Sequence, residues 1–344
     1  MKISICIPQY NRINYLLRSL KIIELQTYEN IEIAISDDCS SDDTEERILE
    51  LIPNYKYSIV FSKNIVNQGY DRNFRKCIEI STGDYALVIG NDDTLYGNES
   101  IEFLVKFLEK NNYPDIGFCN LIEERTDNSL VERAFANKVL GSGPTIASKY
   151  YSCFSFVGGL IYKRNTFLEF NTSKYDGSVY TQIYLAVLMI ASGKQLFSIK
   201  EPLVMKDLLL DGKFRNSYRD RIAKKWKEYK VVDGGLPSVM NVLINALADA
   251  KQLQQKGIYH IFKRMYFVTY PHWILDYKEN NAYPEAAGLI MGMRPSKNTN
   301  FSKLNWYNKI KIHTLFFVSS FGAVLMPVFL FNKMKTKLYK HFKK

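Results

Sequence analysis

Apolar and polar positions change period several times over the first hundred residues of this 344-residue chain. Residues 2–8 form a short, β-branched, apolar run, the pattern of a strand covered on both faces. Tyr10-Asn11-Arg12 then reads as a loop, after which Ile13, Leu16, Leu17, Leu20 and Ile23 fall at helical spacing. Residues 31–36 repeat the buried-strand pattern and run into Asp37-Asp38-Cys39-Ser40-Ser41-Asp42-Asp43-Thr44. There Ser41, Asp42 and Asp43 each suit the N-cap of a helix carrying Ile48, Leu49 and Ile52. Residues 57–61 predict a third strand, Asn67-Gln68-Gly69 a turn into a helix reaching about Ile80, and residues 85–89 a fourth strand. Strands and helices alternating in this way predict an α/β fold, with a parallel sheet between helices.

Further on, the pattern loosens. Residues 101–110 predict an amphipathic helix and 115–120 a strand, whereas 121–150 have no clean period and include the loop Gly141-Ser142-Gly143-Pro144. Residues 156–162 read as a strand, 179–192 as an apolar helix ended by Gly193, 195–199 as a short strand, and 206–221 as a basic, polar stretch. Beyond about residue 220 the chain reads as helical, and no internal repeat is visible. Residues 315–331 are almost wholly apolar, with Lys309 and Lys311 before them and Lys333, Lys335, Lys337, Lys340, Lys343 and Lys344 after. A bilayer span needs ~20 apolar residues. This run is slightly short and contains Pro327, so the expectation is a shallow, in-plane or re-entrant helix with a basic tail, and the alternative is a helix packed on the core.

Charge sharpens that picture. The net charge is +11, yet residues 1–100 hold 10 Lys/Arg against 16 Asp/Glu while residues 251–344 hold 16 against 3. The basic excess therefore belongs to the C-terminal region, where an anionic membrane surface suits it better than nucleic acid, because the tail has few aromatics to stack bases. Cys6, Cys39, Cys77, Cys119 and Cys153 are scattered and odd in number, which suits a reducing, cytoplasmic setting. The four histidines lack ligand spacing for zinc. Residues 3–8 are too short for the apolar region of a signal peptide.

The candidate chemistry lies at strand ends. Pro8-Gln9-Tyr10-Asn11, Asp37-Asp38 and Asn91-Asp92-Asp93 follow three predicted strands, and in a parallel sheet such ends share one crevice. A tyrosine ring can stack on a base, a carboxylate can accept from base N–H or ribose hydroxyl groups, and a second carboxylate can hold a divalent cation on a diphosphate. Each cluster also has a structural reading: Asp37 and Asp38 as helix caps, Asp92-Asp93 as the start of a turn.

The order IPQYN…ISDDCSSDDT…NQGYDRNF…GDYALVIGNDD resembles the nucleotide-binding half of the family 2 glycosyltransferases over residues 1–100, and more loosely through FVGGLIYKRNTF to about residue 205. It is most similar to the O-antigen abequosyltransferase-like branch, which shares the N-x-G-x-x-R-N-F run and the aliphatic-Gly-polar-Asp-Asp ending. The resemblance implies the GT-A fold with a mainly parallel, Rossmann-like sheet, a nucleotide-sugar donor, and Mg²⁺ or Mn²⁺. It places Tyr10 on the donor base and Asp38 at its edge, with Pro8, Asn11 and Asn67 lining the nucleotide. Arg72 approaches the nucleotide from the helix after Gly69, and Asn91 faces the ribose. Asp92 ligates the metal, with Asp93 supporting it. Lys206, Lys213, Arg215 and Arg219 suit a loop closing on the diphosphate. Two positions depart from the pattern. Gly90 replaces the first aspartate of the D-x-D motif. Thr181 and Gln182 replace the Glu-Asp pair whose aspartate serves as general base, leaving Asp176 as the nearest substitute.

These readings give residues 1–100 as the nucleotide-binding half, 101–220 as the acceptor-binding half, and 221–344 as a helical, membrane-associating extension. The expected activity is transfer of a sugar to a hydroxyl of a lipid-linked saccharide in surface polysaccharide or O-antigen assembly. The enzyme would be peripheral or monotopic at the inner face of the cell membrane. A nucleotidyltransferase is disfavoured because the first strand is not followed by a Gly-rich phosphate loop, and a dinucleotide oxidoreductase because G-x-G-x-x-G is absent there. A GT-A scaffold that has lost its chemistry is the remaining alternative.

Overall fold

The apolar run at the N-terminus forms β1 (Ile3–Gln9), the hub of a ten-stranded sheet in a computed structural model that describes residues 1–213 and 235–333. β1 pairs in parallel with β2 (Ile31–Asp37) on one side and β4 (Tyr85–Val88) on the other, and β3 (Ser58–Lys63) extends the sheet beyond β2. The order β3-β2-β1-β4 means that the chain winds outward from β1 and then returns to its opposite side. Its switch point lies between β1 and β4, where open α/β sheets form a crevice. The sheet continues through β9 (Leu160–Lys163), which is antiparallel to both β4 and β6 (Ile116–Glu123). β10 (Leu196–Lys206) runs parallel to β6, and β5 (Thr94–Leu95) closes that edge. β7 (Ser129–Val131) and β8 (Lys138–Gly141) pair antiparallel with β6 and β10.

Helices cover the sheet because their apolar faces have nowhere else to go. α1 (Ile13–Ile23) buries Ile13, Leu16, Leu20 and Ile23, as its spacing predicts. Leu104 and Leu108 of α4 (Ser100–Lys110) join the same core as Ile3, Ile5 and Ile7 of β1 and Ile33 and Ile35 of β2. Each such side chain contributes about 1.5–3 kcal/mol when fully buried. α2 (Thr44–Leu51) and α3 (Tyr70–Ile80) follow β2 and β3. α5 (Pro144–Tyr150), α6 (Arg164–Phe170) and the wholly buried α7 (Thr181–Ala191) complete this unit.

Three local expectations change. The strand expected over 156–162 starts only at Leu160. Gly159 has a φ of +76°, and a Cβ there would lie 2.6 Å from Cys119 Sγ, so the preceding residues turn instead. The strand expected over 195–199 runs on to Lys206, with its register broken around Pro202, where a bulge tolerates the missing N–H. The region without a period, 121–150, holds β7, β8 and α5, elements too short to show one.

Arg133 holds that region to the sheet. It is buried, and its guanidinium donates to the carbonyls of Cys119 (3.0 Å), Cys153 (3.1 Å), Phe156 (3.2 Å) and Gly158 (2.7 Å). It thereby fixes the turn that precedes β9.

The chain divides into two compact units between residues 215 and 216. The described part of the second is helical: α8 (Leu236–Asp249), α9 (Gln255–Arg264), α10 (Tyr270–Glu279), α11 (Tyr283–Gly292) and α12 (Trp306–Leu325). Its centre is aromatic, with Tyr266 and Tyr270 each about an edge or stacking distance from Phe316, at 5.6 and 5.7 Å between ring centroids. Tyr270 also shares a 2.7 Å hydrogen bond with Ser320 of α12. The apolar run expected over 315–331 is the second half of α12 and the residues after it. The helix starts at Trp306 because the Asn305 side chain accepts from the Asn308 amide, and ends where Lys278 donates to the carbonyls of Ala323, Val324 and Met326. Among the described residues no helix is long and apolar enough to cross a membrane. Lys335, Lys337, Lys340, Lys343 and Lys344 lie outside the described residues.

Replacing Arg133 with Met would leave three buried carbonyls and one part-buried carbonyl without this donor, each buried one worth about 1–3 kcal/mol. Urea denaturation is expected to show a loss of at least about 3 kcal/mol for Arg133→Met.

Candidate active site

The crevice is built at the ends of β1, β2 and β4. Pro8 lies beyond the last residue of β1 that pairs with β4, Cys6, so its missing N–H leaves that pairing intact. Tyr10 follows with its side chain 40% exposed. Asn11 and Arg12 both take left-handed backbone, at φ 53° and 63°, which places a sharp corner before α1. Several bonds hold that corner. The Asn11 amide donates to Ser40 Oγ (2.7 Å), the Ser41 amide donates to Asn11 Oδ1 (2.9 Å), and the Ile13 amide donates to Asp42 Oδ2 (3.0 Å). Of the three candidate caps of α2, Asp42 therefore serves two elements, since its other oxygen accepts from Thr44.

From the far side of the switch point, Asn91 Nδ2 donates to the Tyr10 carbonyl at 3.3 Å, and Asp92 Oδ2 pairs with Arg12 Nη1 at 2.8 Å. The Asp38 amide and Asn73 Nδ2 both donate to the Gln9 carbonyl, at 2.9 Å each. Tyr10, Asn11, Asp38, Asn91 and Asp92 are thus tied to one another around the end of β1.

Their roles differ. The Asp38 carboxylate is buried and accepts from Asn64 Nδ2 (2.9 Å) and the amides of Gln68 and Gly69 (2.8 Å each), so it shapes the loop leading to α3 rather than facing a base edge. Asn67 helps from within that loop, accepting from the Gly69 amide. Asp37 is also buried and caps Ser40, and burial raises its carboxyl above the usual value despite the bonds from Ser40. Asp93 turns inward as well. Its oxygens accept from the Gly90 amide (3.0 Å) and the Asp207 amide (3.2 Å), while its own carbonyl accepts from Ser19. Burial, with the neighbouring Asp92 charge adding to it, pushes the Asp93 carboxyl up to about 8.

Residues 4–167 match the family profile "Glycosyl transferase family 2". This chain carries a family 2 glycosyltransferase domain. It is 32% identical over 232 residues to abequosyltransferase RfbV of Salmonella typhimurium, covering 60% of this chain and 66% of that one. It is 27% identical over 157 residues to a Campylobacter jejuni protein named GalNAc(5)-diNAcBac-PP-undecaprenol beta-1,3-glucosyltransferase, covering 46% of this chain and 49% of that one. The chain thus spans from about half to just under two thirds of the length of these relatives. The crystal structure of Staphylococcus aureus TarS 1–349 in complex with UDP has the same fold, with a TM-score of 0.59, 13% identity, and coverage of 94% of this chain and 91% of that one.

Within the glycosyltransferase domain, only part of the expected metal pair fits a cation. Asp92 has a side chain 21% exposed at the crevice. Asp93 has both oxygens committed to backbone amides and is buried, which removes it from that role. Among the described residues no group of three or more His, Cys, Asp or Glu could hold a metal. A hard cation here would rely on Asp92, with phosphate oxygens and water completing its shell, as Mg²⁺ sites often do. Gly90 leaves room for this arrangement: a Cβ there would lie 2.9 Å from Asp93 Oδ2 and 3.1 Å from Asp92 Oδ1, so the first aspartate of a D-x-D motif would crowd both carboxylates.

Two expected site residues lie elsewhere. Arg72 runs along α3 to Glu79 (2.6 Å), and Asp176 gives both oxygens to the buried Arg75. They line a cavity of about 750 Å³ with Gln68, Arg75, Glu79 and Asn171, whose lining includes neither Tyr10 nor Asp92. Arg72 is therefore not aimed at the crevice between β1 and β4, and Asp176 is held by an ion pair in place of standing free to take a proton. Thr181 and Gln182 are buried at the start of α7. Asp71, which is buried and accepts from the amides of Val179 (2.7 Å) and Thr181 (3.3 Å), could not be singled out from sequence, because its partners lie over a hundred residues away. Arg12, beside the Tyr10-Asn11 pair, was in principle detectable as a cation at a strand end.

Lys206 is engaged too. It pairs with Asp207 (2.6 Å) and Glu123 (3.5 Å) at the end of β10 and lies 5.5 Å from the Phe156 ring centroid. Lys213 is exposed in a turn closed by the Leu210–Lys213 bridge. Arg215 and Arg219 lie outside the described residues. A clamp reaches this strand from α1: Arg18 pairs with Glu124, which also accepts from the Leu209 amide at 2.7 Å.

Because the folded-state value of Asp93 lies above its ordinary 3.8, the folded protein holds that proton more tightly than the unfolded chain. Stability is expected to fall as pH rises from about 4 through about 8, and Asp93→Asn to flatten that dependence; urea midpoints across this range measure it.

Proposed function

We infer that this chain transfers a sugar from a nucleoside diphosphate donor to a hydroxyl of a saccharide carried on a membrane lipid. The observation that carries the reading is that Asn91 and Asp92, after β4, bond the Tyr10 carbonyl and the Arg12 guanidinium, after β1, across the β1–β4 switch point of a family 2 domain. The donor base stacks on the exposed Tyr10 ring, and Asn91 lies beside the ribose. The diphosphate is held at Asp92 through Mg²⁺ or Mn²⁺, which when bound supplies positive charge against the leaving group. Among its relatives, the abequosyltransferase, the glucosyltransferase named for a PP-undecaprenol saccharide and an amylovoran biosynthesis glycosyltransferase support a role in polysaccharide assembly on a lipid carrier.

The second unit supports a membrane setting. α12 puts Ile312, Phe316, Ser320 and Ala323 into its own core, yet its other faces expose Ile310, Phe317, Val318, Phe321, Val324 and Leu325, with Phe321 68% exposed. A helix apolar on all sides needs cover beyond its own core. Lys309 and Lys311 precede that surface and Lys333 follows it, so an anionic leaflet of the cytoplasmic face is the cover proposed here. Docking there raises the effective concentration of a lipid-linked acceptor.

Asp92→Ala is expected to abolish transfer, measured with UDP-, GDP-, CDP- and dTDP-sugars and Mn²⁺, while leaving the melting temperature within a few degrees; near-normal turnover would overturn the site. Donor binding without any turnover in wild type would instead favour the scaffold alternative, which the absence of an acid at Thr181 and Gln182 makes worth measuring. For the membrane, the double variant Phe317→Ser and Phe321→Ser is expected to float less with anionic vesicles than wild type, and equal flotation would remove α12 from the account.

A further inference from the structure

Arg12 is the residue of the crevice that neither the motif nor the expected roles explain. Its backbone is left-handed, a conformation that costs a non-glycine residue about 1 kcal/mol or more. The corner is nevertheless held by the bonds from Ser40, Ser41 and Asp42 to its neighbours Asn11 and Ile13. The result is a guanidinium 4.4 Å above the Tyr15 ring and 2.8 Å from the outer oxygen of Asp92. Stacking on Tyr15 orients the planar group, and its side chain is only 14% exposed, so the pair is better sheltered than a surface ion pair. Gly90 offers no carboxylate of its own beside Asp92, and a side chain there would press on the oxygens of Asp92 and Asp93. Asp93 does not compensate, because its oxygens face the amides of Gly90 and Asp207. Arg12 thus faces the one carboxylate of the β4 end available to a cation.

We propose that Arg12 is a charge latch on Asp92, which weakens binding of a divalent cation arriving alone and turns to the diphosphate when donor and cation arrive together. This rests on the reading of Asp92 as the cation-binding carboxylate. The Arg12 guanidinium and a divalent cation compete for the negative charge of Asp92, so whatever stabilises the ion pair weakens binding of the free cation. A diphosphate changes that balance. It brings negative charge that a planar guanidinium pairs with in bidentate fashion, so Arg12 gains a new partner at the moment it gives up the old one. Cation binding and diphosphate binding are therefore coupled through a single side chain, each strengthening the other. The latch keeps Asp92 neutralised in the donor-free enzyme and makes the complete site depend on the donor.

The test measures binding, not turnover. Mn²⁺ alone is titrated by electron paramagnetic resonance into wild type, Arg12→Gln, Arg12→Lys and Asp92→Asn. The tightest-binding of UDP, GDP, CDP and dTDP is then titrated by calorimetry in saturating Mn²⁺. Arg12→Gln is expected to bind Mn²⁺ alone about five-fold tighter than wild type, yet the diphosphate about ten-fold weaker. Arg12→Lys, which keeps the charge without the planar fork, is expected to fall between the two in both titrations. Equal or weaker Mn²⁺ binding by Arg12→Gln, with Asp92→Asn still abolishing it, would overturn the latch and leave the reading of the site standing. Diphosphate binding that Asp92→Asn leaves unchanged would overturn both. Circular dichroism melts of each variant confirm that folded protein is compared, and Arg12→Lys answers the question should Arg12→Gln not fold.

Discussion

Parallel pairing of β1 with both β2 and β4 is the constraint from which the site follows. It sends three chain segments out at the same edge of the sheet, on both sides of a switch point, and no loop need travel far to meet another. The Gln9 carbonyl at the end of β1 accepts from the Asp38 amide and from Asn73, drawing in the loop after β2 and the start of α3. One residue further, the Tyr10 carbonyl accepts from Asn91 and brings in the loop after β4. Were β4 to pair anywhere else, Tyr10 and Asp92 would share no crevice.

Acidic residues gather at this edge, and the structure sorts them by what their oxygens meet. Asp37, Asp38, Asp42 and Asp93 spend their oxygens on amides and hydroxyls of the loops, so they build the crevice walls. A buried carboxylate that accepts two backbone N–H groups is a satisfied structural group, and it has little left for a ligand. Asp92 differs in being partly exposed and in meeting a guanidinium in place of amides. The same sorting holds away from the crevice, where Asp71 and Asp176 fix the approach to α7 by way of backbone amides and Arg75.

How much of this was legible in the sequence depends on the range of the interaction involved. β1 to β4 and α1 to α3 could be read because strands covered on both faces give unbroken apolar runs, and because Ile13, Leu16, Leu20 and Ile23 repeat at helical spacing. The family resemblance is borne out by the family 2 match and the fold by the likeness to TarS. That the segments carrying Tyr10, Asn91 and Asp92 would leave the sheet at the same end followed from strand ends alone. Side-chain direction did not follow. Arg72 sits one turn into α3, where nothing local says whether it reaches back to the crevice or along the helix to Glu79. Asp93 adjoins Asp92 in sequence yet turns inward, because one of its partner amides belongs to Asp207, six strands later. The apolar run does not mark where α12 begins, because the cap at Asn305 starts the helix nine residues before that run does.

The account stands or falls on whether the β1 and β4 ends bind a nucleoside diphosphate as one site. Hydrogen exchange with mass spectrometry, comparing the protein with Mn²⁺ alone and with Mn²⁺ plus each of UDP, GDP, CDP and dTDP, measures this most directly. The account predicts that at least one diphosphate slows exchange together in residues 9–12, 64–69 and 90–93. Unchanged exchange in residues 9–12 and 90–93, with protection confined to the cavity around Arg75 and Asp176 or absent altogether, would contradict it.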